Sequence, residues 1–176
     1  MQAAFITGHG GNEVVQVGER PMPTRGPGQV LVRLRAATLN QVDLYMRNSG
    51  AGIRHQLPQI MGLDGCGVVE VVGPEETRLQ PGQRVLVYPG ITCGRCEFCQ
   101  RGQPVLCAGM SLLGEHRDGT FAQYLSVPAA NLFPVPDGLG DAEAAAPGVN
   151  HLTAWHMVNT QARLQARETV LIFGIG

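Results

Sequence analysis

The chain has 176 residues, of which 44% are hydrophobic and 15% are charged, and its formal net charge is −1. This composition fits one globular domain, or one domain and part of another, and argues against a disordered chain. Without a basic stripe, nucleic acid and anionic membrane surfaces are not expected partners. No apolar run is long enough to span a bilayer, and the start lacks the charged and apolar regions of a secretory signal. We therefore expect a cytoplasmic protein, in which clustered cysteines are more often metal ligands than disulfides.

Short strands punctuated by Gly and Pro are predicted up to about residue 130. In residues 29–37 apolar side chains alternate with others, which predicts a strand with one face toward a core. Residues 65–73 and 83–89 read as further strands, and Asp118–Gly119 predicts a hairpin turn before another. Cys66, inside the second run, is predicted to be a small buried hydrophobe. Together these features indicate a barrel-like β domain.

Four cysteines lie between Gly90 and Gly109 in the pattern Cys-x2-Cys-x2-Cys-x7-Cys; they are Cys93, Cys96, Cys99 and Cys107. Each short gap lets neighbouring thiolates face a common centre, and the longer one lets the chain loop back. Four thiolates at about 2.3 Å complete a tetrahedron around zinc and leave no position for water, which predicts a structural site. An iron–sulfur cluster is an alternative, although its fourth cysteine usually follows after three residues and precedes proline. Two disulfides are another, and the expected compartment disfavours them.

The pattern changes after about residue 130, where helical periodicity replaces alternation. Asp141 is predicted to cap a short helix, and Asn150 a second helix over residues 151–164. One face of the second helix is apolar; it carries Leu152, Trp155, Val158 and Ala162. An apolar run then leads into Gly174-x-Gly176. This pattern is typical of the first strand of a dinucleotide-binding fold and of the phosphate-binding turn that follows it.

These features predict a β domain over residues 1–149 and the helix and first strand of a truncated dinucleotide-binding domain over residues 150–176. Residues 170–173 form the predicted strand, whose neighbours the chain does not contain. Because an unpaired apolar strand seeks a partner, we expect residues after about 160 to be disordered or to pair with another chain.

The four-cysteine lobe, "PGQRVLVYP", "DGTFAQYLSVPAANLFPVPDGL", "LTAWHMV" and "VLIFGIG" together resemble the zinc-containing medium-chain dehydrogenase/reductase superfamily. The resemblance implies a mainly β, GroES-like barrel-type domain with short helices, followed by the start of an α/β Rossmann domain. It also implies structural zinc, NAD or NADP as cofactor and a homo-oligomeric intact protein. Family members are about twice this length.

The family's catalytic zinc site does not match this sequence. Asn40 occupies the position of the first cysteine ligand, and Leu63 that of the histidine. No cysteine occurs near residues 144–155, where the third ligand would lie. Leucine has no lone pair and a neutral amide is a poor zinc ligand. His116, His151 and His156 are possible substitutes, although none stands at a family ligand position.

The segment "LNQVDLYMRNSG" resembles the quinone oxidoreductase branch, which manages without catalytic zinc. That resemblance places Asn40, Asp43, Tyr45 and Arg47 around the nicotinamide and substrate cleft, with Asp64 and Thr153 lining it. Gly174 and Gly176 of the predicted phosphate turn are, with Thr153, the candidate cofactor-binding residues. It implies NAD(P)H-dependent reduction of a quinone or conjugated carbonyl, with Tyr45 or Asn40 donating to the oxyanion. Typical members of this branch lack the cysteine lobe.

Simpler interpretations stay open for the same residues. Asn40 can cap a helix, Asp43 and Arg47 can form an exposed intrahelical pair, and Tyr45 can pack at a core edge. A zinc-dependent alcohol dehydrogenase, or a zinc-stabilised binding module without activity, are the alternative functions. We expect the 176-residue chain alone to show no dehydrogenase activity.

Overall fold

The computed structural model describes residues 1–173. Ten strands and four short helices follow one another as β1 Gln2–Ile6, β2 Val15–Glu19, β3 Gln29–Ala37, α1 Gln41–Ser49, β4 Gln59–Ile60, β5 Gly65–Val71, β6 Arg84–Val87, β7 Gly90–Ile91, α2 Glu97–Gln100, β8 Ser111–Leu112, β9 Tyr124–Pro128, β10 Leu132–Pro134, α3 Asp141–Ala145 and α4 Asn150–Trp155. A π-helical turn, His156–Gln161, continues α4. No helix within the described residues is long and apolar enough to cross a membrane.

An antiparallel five-stranded sheet forms the centre of the domain, in the order β10-β6-β5-β3-β9. The sheet curls into a half-barrel, which confirms the predicted mainly β, barrel-type fold. The strands predicted from residues 29–37, 65–73 and 83–89 are β3, β5 and β6. Strands β2, β1 and β4 form a second sheet, and β7 pairs with β8.

The main core lies against one face of the central sheet. Val30 and Val32, on the apolar face predicted for β3, are fully buried and pack with Val85, Val87 and residues from neighbouring strands. Cys66 is also fully buried, beside Ala144 and Ala145 of α3, as predicted. The alternation in β3 therefore fixes which side of the sheet faces the core.

The predicted hairpin at Asp118–Gly119 is wrong. Strand β9 pairs with β3, which lies about a hundred residues earlier, from Gln29 opposite Pro128 to Arg33 opposite Tyr124. The Asp118 carboxylate instead accepts a hydrogen bond of 3.0 Å from the Ile60 N–H group. The turn residues thus anchor a loop to β4 and do not join two adjacent strands.

The two predicted caps are also misplaced by one residue. Gly140 is the N-cap of α3, and its N–H group donates to Glu143, while Asp141 pairs with Arg84 of β6 at 2.8 Å. Val149 precedes α4, so that Asn150 is its first residue. A carboxylate three residues after the N-cap satisfies the free N–H group of α3 in place of Asp141.

The helix predicted over residues 151–164 is regular only to Trp155 and then widens into the π-helical turn. Leu152 and Trp155 of its apolar face are exposed. The predicted strand at residues 170–173 is absent from the structure, because no neighbouring strand within residues 1–173 pairs with it. The predicted domain boundary at residue 149 and the expected behaviour of the tail stay predictions.

Candidate active site and metal centre

The four cysteines of the lobe meet at one point. Their Sγ atoms all lie within 4.8 Å of one another, and they are the one group of three or more metal-binding His, Cys, Asp or Glu side chains within residues 1–173. Gly94 and Gly102, both with positive φ, turn the chain between the ligands. The four thiol groups therefore converge on one point, as the spacing of the cysteines predicted.

The sulfur geometry fits a single tetrahedral ion. Sγ–Sγ distances are 3.5 Å for Cys96–Cys99 and for Cys93–Cys107, and 4.0 Å for Cys93–Cys99. Four thiolates at about 2.3 Å from zinc lie about 3.8 Å apart along the edges of the tetrahedron. A disulfide would need about 2.05 Å, and all five cysteines are free. A cluster of several irons would hold the sulfurs further apart than one ion does.

Backbone N–H groups prepare Cys93 to bind metal. The N–H groups of Arg95 and Cys96, with a further contribution from the Cys107 thiol, lower the pKa of Cys93 to about 6. This side chain is therefore largely thiolate at neutral pH, which is the form that binds a metal. The residues of the lobe thus fit a structural zinc ion in their geometry.

The second cluster of interest surrounds Asp64, which has no exposed surface. Its Oδ1 accepts hydrogen bonds from the Thr38 hydroxyl and, at 2.9 Å, from Asn40 Nδ2. Its Oδ2 accepts the Val149 N–H group at 2.8 Å, just before α4 begins. The carboxylate thus joins the end of β3, the start of α1 and the start of α4.

Asn40 and Asp43 form the start of α1. Asn40 is the N-cap, as one of the simpler interpretations predicted, and its N–H group donates to Asp43 Oδ2 at 2.7 Å. The reciprocal approach of the Asp43 N–H group to the Asn40 side chain does not reach hydrogen-bond geometry. Because both hydrogens of Asn40 Nδ2 are directed at Asp64 and Thr38, its amide has no donor left for a ligand.

Asp43 is 2% exposed, and its carboxyl group lies in an environment that disfavours its charge. Burial raises its pKa to about 6, against the opposing effect of the N–H groups of Asn40 and Gly62, and the nearby Asp64 charge raises it further. The predicted exposed pair with Arg47 is wrong. Arg47 instead donates to Asn12 at 2.5 Å and to Asn48 at 2.7 Å.

A catalytic zinc ion does not fit the residues around Asp64. Leu63 is 4% exposed and offers no ligand atom. Both Asp64 oxygens already accept hydrogen bonds from protein groups, and the neutral Asn40 amide is engaged with one of them. Neutral amides and hydrocarbon side chains do not make a zinc site. The position that carries zinc ligands in the family pattern is therefore occupied by an internal hydrogen-bond network.

Tyr45 and Thr153 are the exposed members of the predicted site. The Tyr45 side chain is 55% exposed on α1, so it does not pack at a core edge, and Thr153 is exposed on α4. Neither hydroxyl has a hydrogen-bond partner within residues 1–173. Both are therefore free to contact a ligand. Gly174 and Gly176, the predicted cofactor-binding glycines, lie outside the described residues.

The three substitute histidines do not converge. His116 Nδ1 accepts the Leu112 N–H group at 3.1 Å, His151 contacts the Ala146 carbonyl, and His156 contacts the Gln161 side chain. Thr38 and Val149, by contrast, join the Asp64 network without any motif in the sequence to indicate it. Their contribution follows from tertiary contacts alone.

A curled antiparallel β domain with a four-cysteine lobe defines the class: the GroES-like domain of zinc-type medium-chain dehydrogenases/reductases. Residues 26–137 match the family model of the alcohol dehydrogenase GroES-like domain, and the chain belongs to that family. This confirms the resemblance found in the sequence.

Several similar proteins are dehydrogenases. An alcohol dehydrogenase of Geobacillus stearothermophilus is 34% identical over 163 residues, which are 92% of this chain and 48% of that protein. An L-threonine 3-dehydrogenase of Pyrococcus furiosus is 38% identical over 131 residues, covering 73% of this chain and 37% of the relative. The solved structure of an NAD-dependent alcohol dehydrogenase has a TM-score of 0.90 and 44% identity, with 94% of this chain and 48% of that chain covered. The chain spans about half the length of the curated relatives it matches.

Proposed function

We propose that this chain is the N-terminal part of an NAD(P)H-dependent oxidoreductase that reduces a quinone or another conjugated carbonyl without catalytic zinc. The oxidoreductase class is supported by family membership and by the dehydrogenases that the chain resembles. The observation that supports the finer proposal is that both oxygens of the Asp64 carboxylate accept hydrogen bonds from the chain itself, with Thr38, Asn40 and Val149 as donors. We further propose residues 1–149 as the catalytic-type domain and residues 150–176 as the opening of the cofactor domain.

The substrate class follows from the missing Lewis acid. Exchange between a simple alcohol and an aldehyde creates a localised alkoxide, which a zinc ion normally stabilises. In a conjugated carbonyl or quinone the negative charge spreads over the conjugated system, so less external stabilisation is needed. A bound reduced nicotinamide supplies the hydride.

Tyr45 is the residue we propose as the hydrogen-bond donor to the developing oxyanion. Its hydroxyl is exposed and unpartnered within the described chain, whereas the Asn40 amide hydrogens are engaged with Asp64 and Thr38. The hydride adds to carbon, the carbonyl oxygen takes the electron pair, and a proton from solvent completes the reduction. We propose Asn40, Asp43 and Asp64 as positioning residues that hold α1, and Arg47 and Thr153 as residues of the cleft that the resemblance implies.

The test uses the full-length enzyme with NADH or NADPH and a p-quinone or enone, beside ethanol or threonine with the oxidised cofactor. We expect reduction of the conjugated substrate, and a decrease in kcat for Tyr45→Phe of about tenfold or more, since one oxyanion donor is lost. Tyr88→Phe, another tyrosine-to-phenylalanine change, is the matched control. Unchanged turnover in Tyr45→Phe would refute the role of Tyr45.

Alcohol oxidation is the second candidate, because the relatives include alcohol and threonine dehydrogenases. It requires a second zinc ion near Asp64, in addition to the one in the cysteine lobe. Alcohol turnover that is lost when a metal bound beside Asp64 is removed would replace the first proposal with this one.

A further inference from the structure

Two histidines outside the candidate active site face each other directly. His9 follows β1 and His55 lies in the loop after α1. Nε2 of His9 is 3.4 Å from Nδ1 of His55, and the ring centroids are 5.0 Å apart. The mechanism proposed above uses neither ring.

The backbone fixes the protonation of His9. Its Nδ1 lies 3.0 Å from the carbonyl oxygen of Met46. A carbonyl oxygen only accepts hydrogen bonds, so Nδ1 carries the proton and Nε2 of the neutral ring presents a lone pair toward His55. Histidines that bind metals usually donate their second ring N–H group to a carbonyl or carboxylate in this way.

Gly50 lies directly against both imidazole rings. A Cβ atom at this position would lie 3.0 Å from His9 Nε2 and 3.4 Å from His55 Nδ1. Gly50 also has a φ of +71° and ends α1. Its backbone conformation and the closeness of the two rings therefore both favour glycine at this position. A side chain at residue 50 would crowd both imidazoles, so glycine allows the two rings to approach this position.

We propose that His9 and His55 chelate a divalent transition-metal ion of the zinc type, between His9 Nε2 and His55 Nδ1 and independently of the cysteine lobe. Two imidazole nitrogens on a tetrahedral zinc ion, each at about 2.0–2.1 Å, lie about 3.3 Å apart, close to the observed separation. Imidazole is a suitable ligand for zinc, copper and nickel. Water completes the coordination.

The site is weaker than the cysteine lobe for two reasons. It has two protein ligands in place of four. In the metal-free pair the Nδ1–H group of His55 donates to His9, and metal binding moves this proton to Nε2, which is buried without a partner within the described chain. Burial, followed by the charges of His9 and His116, lowers the pKa of His55, which favours the neutral ring that a metal needs. A bound ion would fasten the segment after β1 to the loop that follows α1.

The test is a Zn²⁺ titration of the chain that already holds one zinc ion, followed by calorimetry and by ¹H–¹⁵N spectra of the histidine rings. We expect one further ion to bind, with shifts at His9 Nε2 and His55 Nδ1. His9→Gln and His55→Gln each remove a direct ligand, so each should weaken this second step at least about tenfold. His151→Gln, at an exposed histidine on α4, should leave it unchanged.

Retention of the first zinc and of the far-UV circular dichroism spectrum shows that a variant is folded. If a variant does not fold, the ¹H–¹⁵N shifts of the histidine rings in the parent chain show whether the ion binds His9 and His55. Absence of a second zinc ion, or ring shifts elsewhere than in His9 and His55, would overturn the proposal. So would a second ion that both glutamine variants bind as tightly as the parent. None of these outcomes bears on the role proposed for Tyr45.

Discussion

Replacing Asp64 by asparagine tests whether its carboxylate holds three segments together. The asparagine side chain keeps one acceptor oxygen, but its amide NH₂ group must face one of the groups that now donate to the carboxylate. If the oxygen stays toward Thr38 and Asn40, the NH₂ group faces the Val149 N–H group, which then has no acceptor. The substitution should therefore destabilise the fold even though the two side chains have nearly the same size.

The expected loss in free energy of unfolding is about 2–4 kcal/mol. A buried donor left without a partner costs about 1–3 kcal/mol, and the remaining hydrogen bonds lose their charge assistance. Relief from burying a charge offsets part of this cost. For a chain of this size, a loss of about 3 kcal/mol lowers the melting temperature by roughly 6–12 °C.

Asp141→Asn is the matched control. The Asp141 side chain is 43% exposed and pairs with Arg84, so its loss should cost at most about 1 kcal/mol. Both variants are unfolded with urea in the zinc-loaded chain at neutral pH, and exchange of the Val149 amide is followed in parallel. A loss for Asp64→Asn that does not exceed that of Asp141→Asn, with Val149 still protected, would refute the assignment.

Cys107→Ser should abolish zinc binding, because it removes one of the four ligands. The amides of residues 90–109 should then exchange hydrogen rapidly while the central sheet stays protected, since metal binding supplies the folding energy of such lobes. Protected lobe amides in a metal-free chain would contradict this. Burial raises the pKa of Asp43 from 3.8 to about 6, so its stabilising contribution is complete below pH 3.8 and is lost as the pH rises through 6. We therefore expect the stability of Asp43→Asn relative to the parent to rise by about 2 kcal/mol between pH 4 and 7; parallel unfolding curves at each pH measure this, and a constant difference would argue against it. Gly62→Ala should destabilise the fold by about 1 kcal/mol more than Gly82→Ala. Both glycines have positive φ, but only at Gly62 would a Cβ atom come within 2.5 Å of a carbon of the Phe121 ring. Equal urea midpoints for the two variants would count against a steric role of Gly62.

The sequence predicted those parts of the molecule that depend on local patterns. Alternation over residues 29–37 identified β3 and its buried face, because each side chain's direction is set by its own position in the strand. The cysteine spacing identified the metal lobe for the same reason. Its ligands lie within 15 residues of one another, so the geometry of the loop decides the geometry of the site.

The network around Asp64 depends on contacts that no local pattern contains. Thr38 and Val149 meet the same carboxylate although they are more than a hundred residues apart in the chain. Strand β9 finds β3 across a similar distance, and a turn signal at Asp118–Gly119 says nothing about which strand will be the partner. The resemblance predicted that Asp64 lines the cleft, but only the structure shows that its oxygens are occupied by groups of the chain itself.

The helix and the strand predicted after residue 150 both depend on surfaces that would cover them. Helical periodicity and an apolar run predict which side chains will be buried, but they do not identify the part of the protein that covers those side chains. Leu152 and Trp155 are 46% and 65% exposed, and Phe173 is 86% exposed, because residues 1–173 provide no surface to cover them. A strand exists only when a neighbour accepts and donates its hydrogen bonds, so residues 170–173 keep the composition of a strand without forming one. The helix needs no neighbour for its own hydrogen bonds, which explains why α4 forms while the segment after it does not.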